Sequence, residues 1–302
     1  MSAKRNPVSA PMRREGAVVN AMTIDVEDYF QVSAFAPYID RARWDSMPCR
    51  VEANVERILD LLDEAGAHAT FFTLGWVAER YPALVRRIAD AGHELASHGY
   101  GHLRATEQGV DEFLTDIKLA KAILEDVSSR PVSGYRAPSF SVGPTNPWAF
   151  DCIAAAGYRY SSSIYPIRHD HYGVPDAPRF AHEVRPGLLE VPVATMRLLA
   201  RNWPAGGGGY FRLLPYSLSR WFLNRVNAVD GKPATFYLHP WEFDPEQPRP
   251  PMPLAHRFRH YVGLAGATRK LETLLRQFRF TSIEDALAPL RLSPAAAVAR
   301  AS

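Results

Sequence analysis

Short apolar runs and amphipathic stretches take turns along almost the whole chain, and this alternation restricts the available folds more than any other feature. The run Ala17-Val18-Val19-Asn20-Ala21-Met22-Thr23-Ile24 has the apolar density of a buried strand. Residues 51–62 instead repeat apolar side chains at 51, 55, 58, 59 and 62, the period of a helix, and the pattern stops at Gly66. Strand character returns at 69–74, followed by a helix from about 77 to 91 interrupted near Pro82, a strand at 94–97 and a helix at 110–127. Further strands are predicted at 134–138, 158–162, 189–193 and 234–238, with helices at 149–156, 217–229 and 268–277. Repeated strand–helix units require parallel strands, and the most economical way to finish such a sheet is to close it into a barrel.

Barrels of this kind gather their chemistry at strand C-terminal ends. Asp25, His98, Arg136 and His239 fall at four such ends. In Ser97-His98-Gly99-Tyr100-Gly101-His102 two imidazoles stand four residues apart, a spacing that would put both on one side of a helical turn, where neutral nitrogens grip a divalent ion. Upstream lies the acidic cluster Thr23-Ile24-Asp25-Val26-Glu27-Asp28. Two histidines and one carboxylate leave coordination positions open for water, which is what a hydrolytic metal needs. Two insertions interrupt the pattern. Residues 164–188, with His169, Asp170, His171 and Tyr172, read as an ordered loop beside the site. The glycines of Gly206-Gly207-Gly208-Gly209-Tyr210-Phe211-Arg212 permit unusual backbone angles or close approach to a ligand; a phosphate cradle is disfavoured because the Lys-Ser/Thr of a P-loop is missing.

With 302 residues, 47% hydrophobic and 22% charged, the chain has enough apolar material for a substantial core, and one domain is favoured over two. A net charge of +3 with dispersed basic residues argues against a nucleic-acid groove, the N-terminal set Lys4, Arg5, Arg13 and Arg14 reading as a solvated tail. Cys49 and Cys152 are too few for a disulfide framework. Residues 1–16 read as a flexible leader without the apolar core of a secretory signal, and 293–302 as a frayed tail. No stretch is long and apolar enough to span a bilayer, so the expected address is the cytoplasm. The expected organisation is a single domain over 17–292 with a C-terminal extension from about 206.

Four segments, in this order over residues 18–240, resemble the motifs of the polysaccharide deacetylases of carbohydrate esterase family 4, the NodB-homology domain. They are the acidic cluster, the Ser97–His102 segment, Tyr135-Arg136-Ala137-Pro138-Ser139-Phe140 and Leu238-His239-Pro240. The stretches Asp25-Val26-Glu27-Asp28-Tyr29-Phe30, Gly207-Gly208-Gly209-Tyr210-Phe211-Arg212 and Leu238-His239-Pro240-Trp241-Glu242-Phe243-Asp244 look like the subgroup tied to bacterial exopolysaccharide loci with exosortase systems. The resemblance implies an α/β fold, a distorted (β/α) barrel of about seven parallel strands. It further implies a metal-dependent hydrolase that removes acetyl from N-acetylated amino sugars of an exopolysaccharide or its lipid-linked precursor. Zinc is the first choice of metal, and cobalt, nickel or manganese would satisfy the same ligands. The glycan or lipid-linked oligosaccharide is the expected partner, with peripheral contact to membrane biosynthetic machinery. The alternatives are hydrolysis of another C–N bond, in a cyclic amide or ureide, and a catalytically silent carbohydrate-binding protein.

Residue roles follow from the same resemblance. Asp25 would be the general base, taking a proton from a water that the ion has made more acidic, and His98 and His102 would bind that ion. The family's second aspartate adjoins the first, whereas here the acids are displaced to Glu27 and Asp28. Strand alternation puts Glu27 on the side of Asp25 and favours it as third ligand; a turn starting there would present Asp28 instead. His239 would act as general acid toward the departing amine. Arg136 would hold Asp25 ionised and oriented. Tyr160-Ser161-Ser162-Ser163-Ile164-Tyr165 replaces the family's Asp and Trp motif, so the carboxylate that tunes His239 must come from Glu242, Asp244 or the inserted loop. Tyr135, Phe140, Trp203, Tyr210, Tyr237 and Trp241 are offered as flat faces for sugar rings.

Overall fold

The computed structural model describes residues 18–291, so the leader at 1–16 and the tail at 293–302 lie outside the described residues. In chain order the strands are β1 Val19–Val26, β2 Thr70–Thr73, β3 Glu94–Ser97, β4 Gly134–Tyr135, β5 Tyr160–Ser161, β6 His182–Arg185, β7 Leu188–Glu190, β8 Thr195–Leu198, β9 Arg201–Pro204, β10 Thr235–Leu238 and β11 Arg279–Thr281. The helices are α1 Val51–Ala65, α2 Gly75–Arg80, α3 Pro82–Asp90, α4 Val110–Ser128, α5 Trp148–Ala155, α6 Gly208–Leu213, α7 Tyr216–Ala228, α8 Leu254–Tyr261, α9 Leu264–Gln277 and α10 Ile283–Arg291.

The main sheet runs β10-β1-β2-β3-β4-β5-β7-β6. Seven strands on this path are mutually parallel and only the edge strand β6 is antiparallel, while β11 pairs in parallel with the first residues of β1. The sheet curls into the distorted barrel expected of strand–helix units. Its seam between β7 and β10 is crossed by single bonds, Ala194 N to Thr235 O at 2.9 Å and Tyr237 N to Gly206 O at 2.6 Å.

Alternation sorts the strand residues onto two faces. Met22, Ile24, Val26, Phe71 and Leu95 point outward into a core shared with Val55, Ile58, Leu59, Val85 and Ile88 of the helices. Ala21, Phe72, Ala96 and Tyr160 point inward and pack with Ile283 and Leu287 of α10, which stoppers the end where the strands begin. Ile283 N donates to Thr70 Oγ1 at the first residue of β2. The opposite end stays open.

Local chemistry explains the departures from the periodic reading. The interruption expected near Pro82 is a complete break into two helices, because Pro82 has no N–H to continue α2 and instead starts α3. The β8–β9 hairpin turns through Leu199 and Ala200 at φ +50° and +61°. That turn ordinarily calls for Asn or Gly, so no turn signal was present to find.

The glycine run has a structural use. A Cβ on Gly207, at φ +105°, would sit 2.1 Å from the Tyr237 carbonyl oxygen, and one on Gly206 would sit 2.3 Å from Val193 Cγ1. The chain is pressed against β10, and only glycine permits that approach. Gly207→Ala combines left-handed strain with a backbone clash, at a cost of about 3 kcal/mol. Thermal melts should place this variant roughly 6–12 °C below the parent; an unchanged melting temperature would mean the seam is not packed as described.

Candidate active site and metal centre

The open end of the barrel carries the functional side chains. Asp25 is on the last inward-facing position of β1, and Glu27 follows two residues on after Glu27 N bonds back to Asp25 O at 3.0 Å. His98 directly follows β3, Arg136 directly follows β4 and His239 directly follows β10. All five are buried except His239, which keeps a small opening to solvent. Asp25, Glu27, His98 and His239 line a cleft of about 980 Å³, and Arg136 lies behind them.

Glu27, His98 and His102 offer ligand atoms that all lie within 4.8 Å of one another. His98 Nδ1 is 2.9 Å from the Arg136 carbonyl oxygen, which leaves Nε2 for the cluster. Burial, and then the neighbouring His102, push the His98 pKa down to about 3, so the ring is neutral and its free nitrogen is a donor of electron density. Glu27 Oε2 is 2.8 Å from His102 Nε2, is fully enclosed, and accepts no hydrogen bond, while Oε1 accepts from Trp241 Nε1 at 3.2 Å. An enclosed carboxylate oxygen without a donor, facing two imidazoles, fits a divalent cation. The histidines do not converge on a helical turn, as their spacing led us to expect. Residues 98–102 form a loop in which Gly99 and His102 adopt φ +75° and +54°, tied to the start of α2 by Gly75 N to Gly99 O and Trp76 N to Tyr100 O.

Asp28 is not brought to this cluster. Its carboxylate accepts from the backbone N–H groups of Tyr29, Arg50 and Val51, at 2.8, 2.5 and 2.9 Å, and thereby caps the start of α1. Of the two displaced acids, Glu27 is the one beside the histidines.

Asp25 Oδ1 receives Arg136 Nη1 at 2.5 Å, and its Oδ2 lies 3.9 Å from His239 Nε2. Arg136 is fully enclosed and uses its whole fork: Nε donates to Ser162 O, Nη2 to Ser162 Oγ and Nη1 also to Thr23 Oγ1. One of the serines that replace the Asp and Trp motif, Ser162, therefore anchors this arginine.

The partner of His239 is Glu242. Its Oε2 accepts from His239 N at 2.9 Å and lies 3.3 Å from His239 Nδ1, while Oε1 accepts from Arg212 Nε at 2.7 Å. Burial alone would raise the Glu242 pKa, but Arg212 and His239 hold it down at about 2. Burial likewise opposes charge on His239, and Glu242 reverses this, raising the ring to about 9. Arg212 is itself fixed by the carbonyl oxygens of His260 and Val262, both 2.7 Å from Nη1. Sequence reasoning singled out the glycine run and missed the arginine at its end; a lone basic residue closing an apolar helix was the available signal. Asp244 instead pairs with Arg50, and the inserted loop's Asp170 pairs with His169 and Arg259.

Of the aromatics, Phe140, Tyr210, Tyr237 and Trp241 line the cleft. Tyr135 belongs to the outer core beside Phe113 and Tyr158, and Trp203 stands on β9 away from the cleft lining. The loop residues His169, Asp170, His171 and Tyr172 do line it, with Tyr172 stacked on His169 at 4.0 Å. Cys49 and Cys152 are both free thiols.

Residues 42–161 match the polysaccharide deacetylase family, and residues 162–288 match a domain of unknown function (DUF3473). The chain is similar to a peptidoglycan-N-acetylglucosamine deacetylase of Bacillus cereus, 33% identical over 103 residues that make up 34% of this chain and 46% of that protein. It is also similar to a peptidoglycan deacetylase of Helicobacter pylori, 29% identical over 118 residues, 37% of this chain and 38% of that protein. The matched stretch is thus less than half the length of either relative. Among solved structures, a Mycobacterium smegmatis protein provisionally described as a polysaccharide deacetylase superposes with a TM-score of 0.61 at 22% identity, covering 95% of both chains. Peptidoglycan deacetylase PdaC from Bacillus subtilis gives 0.50 at 16% identity, covering 94% of this chain and 97% of that one. At these identities the likeness is one of fold.

Proposed function

The chain belongs to the polysaccharide deacetylase family, carbohydrate esterase family 4, and from that premise we propose that it hydrolyses the N-acetyl groups of amino sugars in a bacterial exopolysaccharide or its precursor. The observation that carries this reading is the buried cluster of Glu27, His98 and His102 with Asp25 and His239 on the same cleft. Glu27, His98 and His102 would hold one divalent ion, zinc before cobalt, nickel or manganese, and that ion would supply Lewis-acid polarisation and a more acidic water. Asp25 takes the proton of the attacking water. Arg136 keeps the Asp25 carboxylate aimed by donating to Oδ1. His239 then gives a proton to the leaving nitrogen, without which an amine departs poorly. Glu242, held by Arg212, fixes the His239 ring from the far side.

The catalytic set supports one domain over 17–292. Asp25 and Glu27 precede the deacetylase match, His98, His102 and Arg136 lie within it, and His239 and Glu242 come from the second match. None of the three stretches holds a complete site. Among the described residues no helix is long and apolar enough to cross a membrane.

Acetate release from N-acetylglucosamine oligomers and from acetylated exopolysaccharide, with chelated and metal-reloaded protein, tests the reading. We expect release that disappears on chelation and returns with zinc. A protein that binds metal tightly and frees no acetate from any acetylated sugar overturns it, and turnover of a cyclic amide or ureide would then redirect it.

A further inference from the structure

The mouth of the cleft has an unusual rim. Helix α8 exposes every side chain from Leu254 to Arg259 and buries only His260. Leu254 is 81% exposed and Phe258 is 63% exposed. They are four residues apart and so share one stripe of the helix. Phe258 lines the same cleft as Asp25 and His98, as does Leu213, which is 50% exposed. On the facing lip the uncharged segment Ala34-Phe35-Ala36-Pro37-Tyr38 leaves Ala36, Pro37 and Tyr38 exposed, and the Tyr38 hydroxyl reaches His256 Nδ1 at 3.4 Å. The apolar patch therefore runs across both lips. Scattered apolar residues on a surface need no explanation, but a set gathered around a cleft mouth does.

Charge says what covers it. From Gln247 to Leu271 the sequence contains no Asp or Glu, yet it carries Arg249, Arg257, Arg259, Arg269 and Lys270; of these Arg259 pairs with Asp170, and Lys270 donates to the carbonyl oxygens of Phe211, Arg212 and Leu214. A short helix with leucine and phenylalanine on one stripe and arginines beside it has the composition of an element that lies in the interface of an anionic bilayer. We propose that α8 and the 34–38 lip dock the protein on an anionic membrane surface with the cleft opening toward the lipid headgroups. A glycan carried on a lipid would then enter directly. That last step rests on the deacetylase reading; the docking itself does not.

The test needs no substrate. The full chain is sedimented with vesicles of phosphatidylcholine alone or with about 30% phosphatidylglycerol. We expect binding only to the anionic vesicles, weakening steeply as salt rises. Leu254→Glu with Arg257→Gln should lower the partition coefficient by at least tenfold, since one surface arginine alone contributes about fivefold. Both side chains are exposed and neither lines the cleft, so the variant's melting temperature and its turnover of a soluble acetylated oligomer, if the parent has such turnover, stay at the parent level. Absence of binding to anionic vesicles at low salt overturns the proposal, as does binding that the variant leaves intact. A parent that instead dimerises through this rim, with the variant monomeric, also overturns it. Loss of deacetylation with intact vesicle binding would defeat the catalytic reading and leave the docking standing.

Discussion

Asp25→Asn lowers kcat for acetate release by about 10²–10⁴-fold, the usual contribution of a positioned general base, while the bound metal remains stoichiometric. The two halves of this expectation come from different atoms. Asp25 stands outside the Glu27, His98 and His102 group, so its replacement leaves the ligand set intact. Asparagine has the same shape and can still accept from Arg136 Nη1 through its amide oxygen, but it cannot take up a proton at neutral pH. Metal content measured on the purified variant, alongside single-turnover acetate release, separates the roles. His98→Ala should do the reverse and lose the metal first. Full activity in metal-loaded Asp25→Asn would sink the base assignment.

How much of this site could be read in advance depended on how local its causes are. Strand ends were legible because alternation within eight residues places Asp25 inward and Ile24 outward, and the same logic favoured Glu27. What Asp28 does instead was not legible, because its partners, the N–H groups of Arg50 and Val51, lie 22 and 23 residues further on. The histidine spacing was informative for a reason other than the one given. Four residues suit a helical turn, yet here two left-handed residues, Gly99 and His102, fold the segment back as a loop.

The same distinction governs the second half of the chain. Glu242 was one of three options for the acid behind His239, and local spacing could not choose among them. The choice is made by Arg212, 30 residues away, which lies buried against Glu242. Its helix α6 is placed by the close approach of Gly206 and Gly207 to β10, a contact that a glycine run permits without specifying its target. Hydrophobic periodicity thus reported the layers of the fold well. It carried no information on pairings between buried polar groups, which are set by geometry accumulated over the whole barrel.

Arg136 tests how strongly those pairings are coupled. Its guanidinium is fully enclosed, lies 4.1 Å from the Phe72 ring, and makes hydrogen bonds to Thr23, Asp25 and Ser162. Arg136→Met keeps most of the volume but takes away the cation bonded to the buried Asp25 carboxylate, leaving only the His239 ring, 3.9 Å from Oδ2, as a positive neighbour. Removing one member of a buried ion pair costs about 3–5 kcal/mol, so chemical denaturation should show a loss of that size. Part of this cost belongs to the uncompensated charge rather than to the lost contacts. The double variant Arg136→Met with Asp25→Asn removes the charge as well, and we expect it to regain about 1–3 kcal/mol relative to Arg136→Met alone. A double variant as unstable as the sum of its parents would show that Arg136 acts on the fold mainly through Ser162 and Thr23. Both variants should lack acetate release, because the positioned base is lost in each.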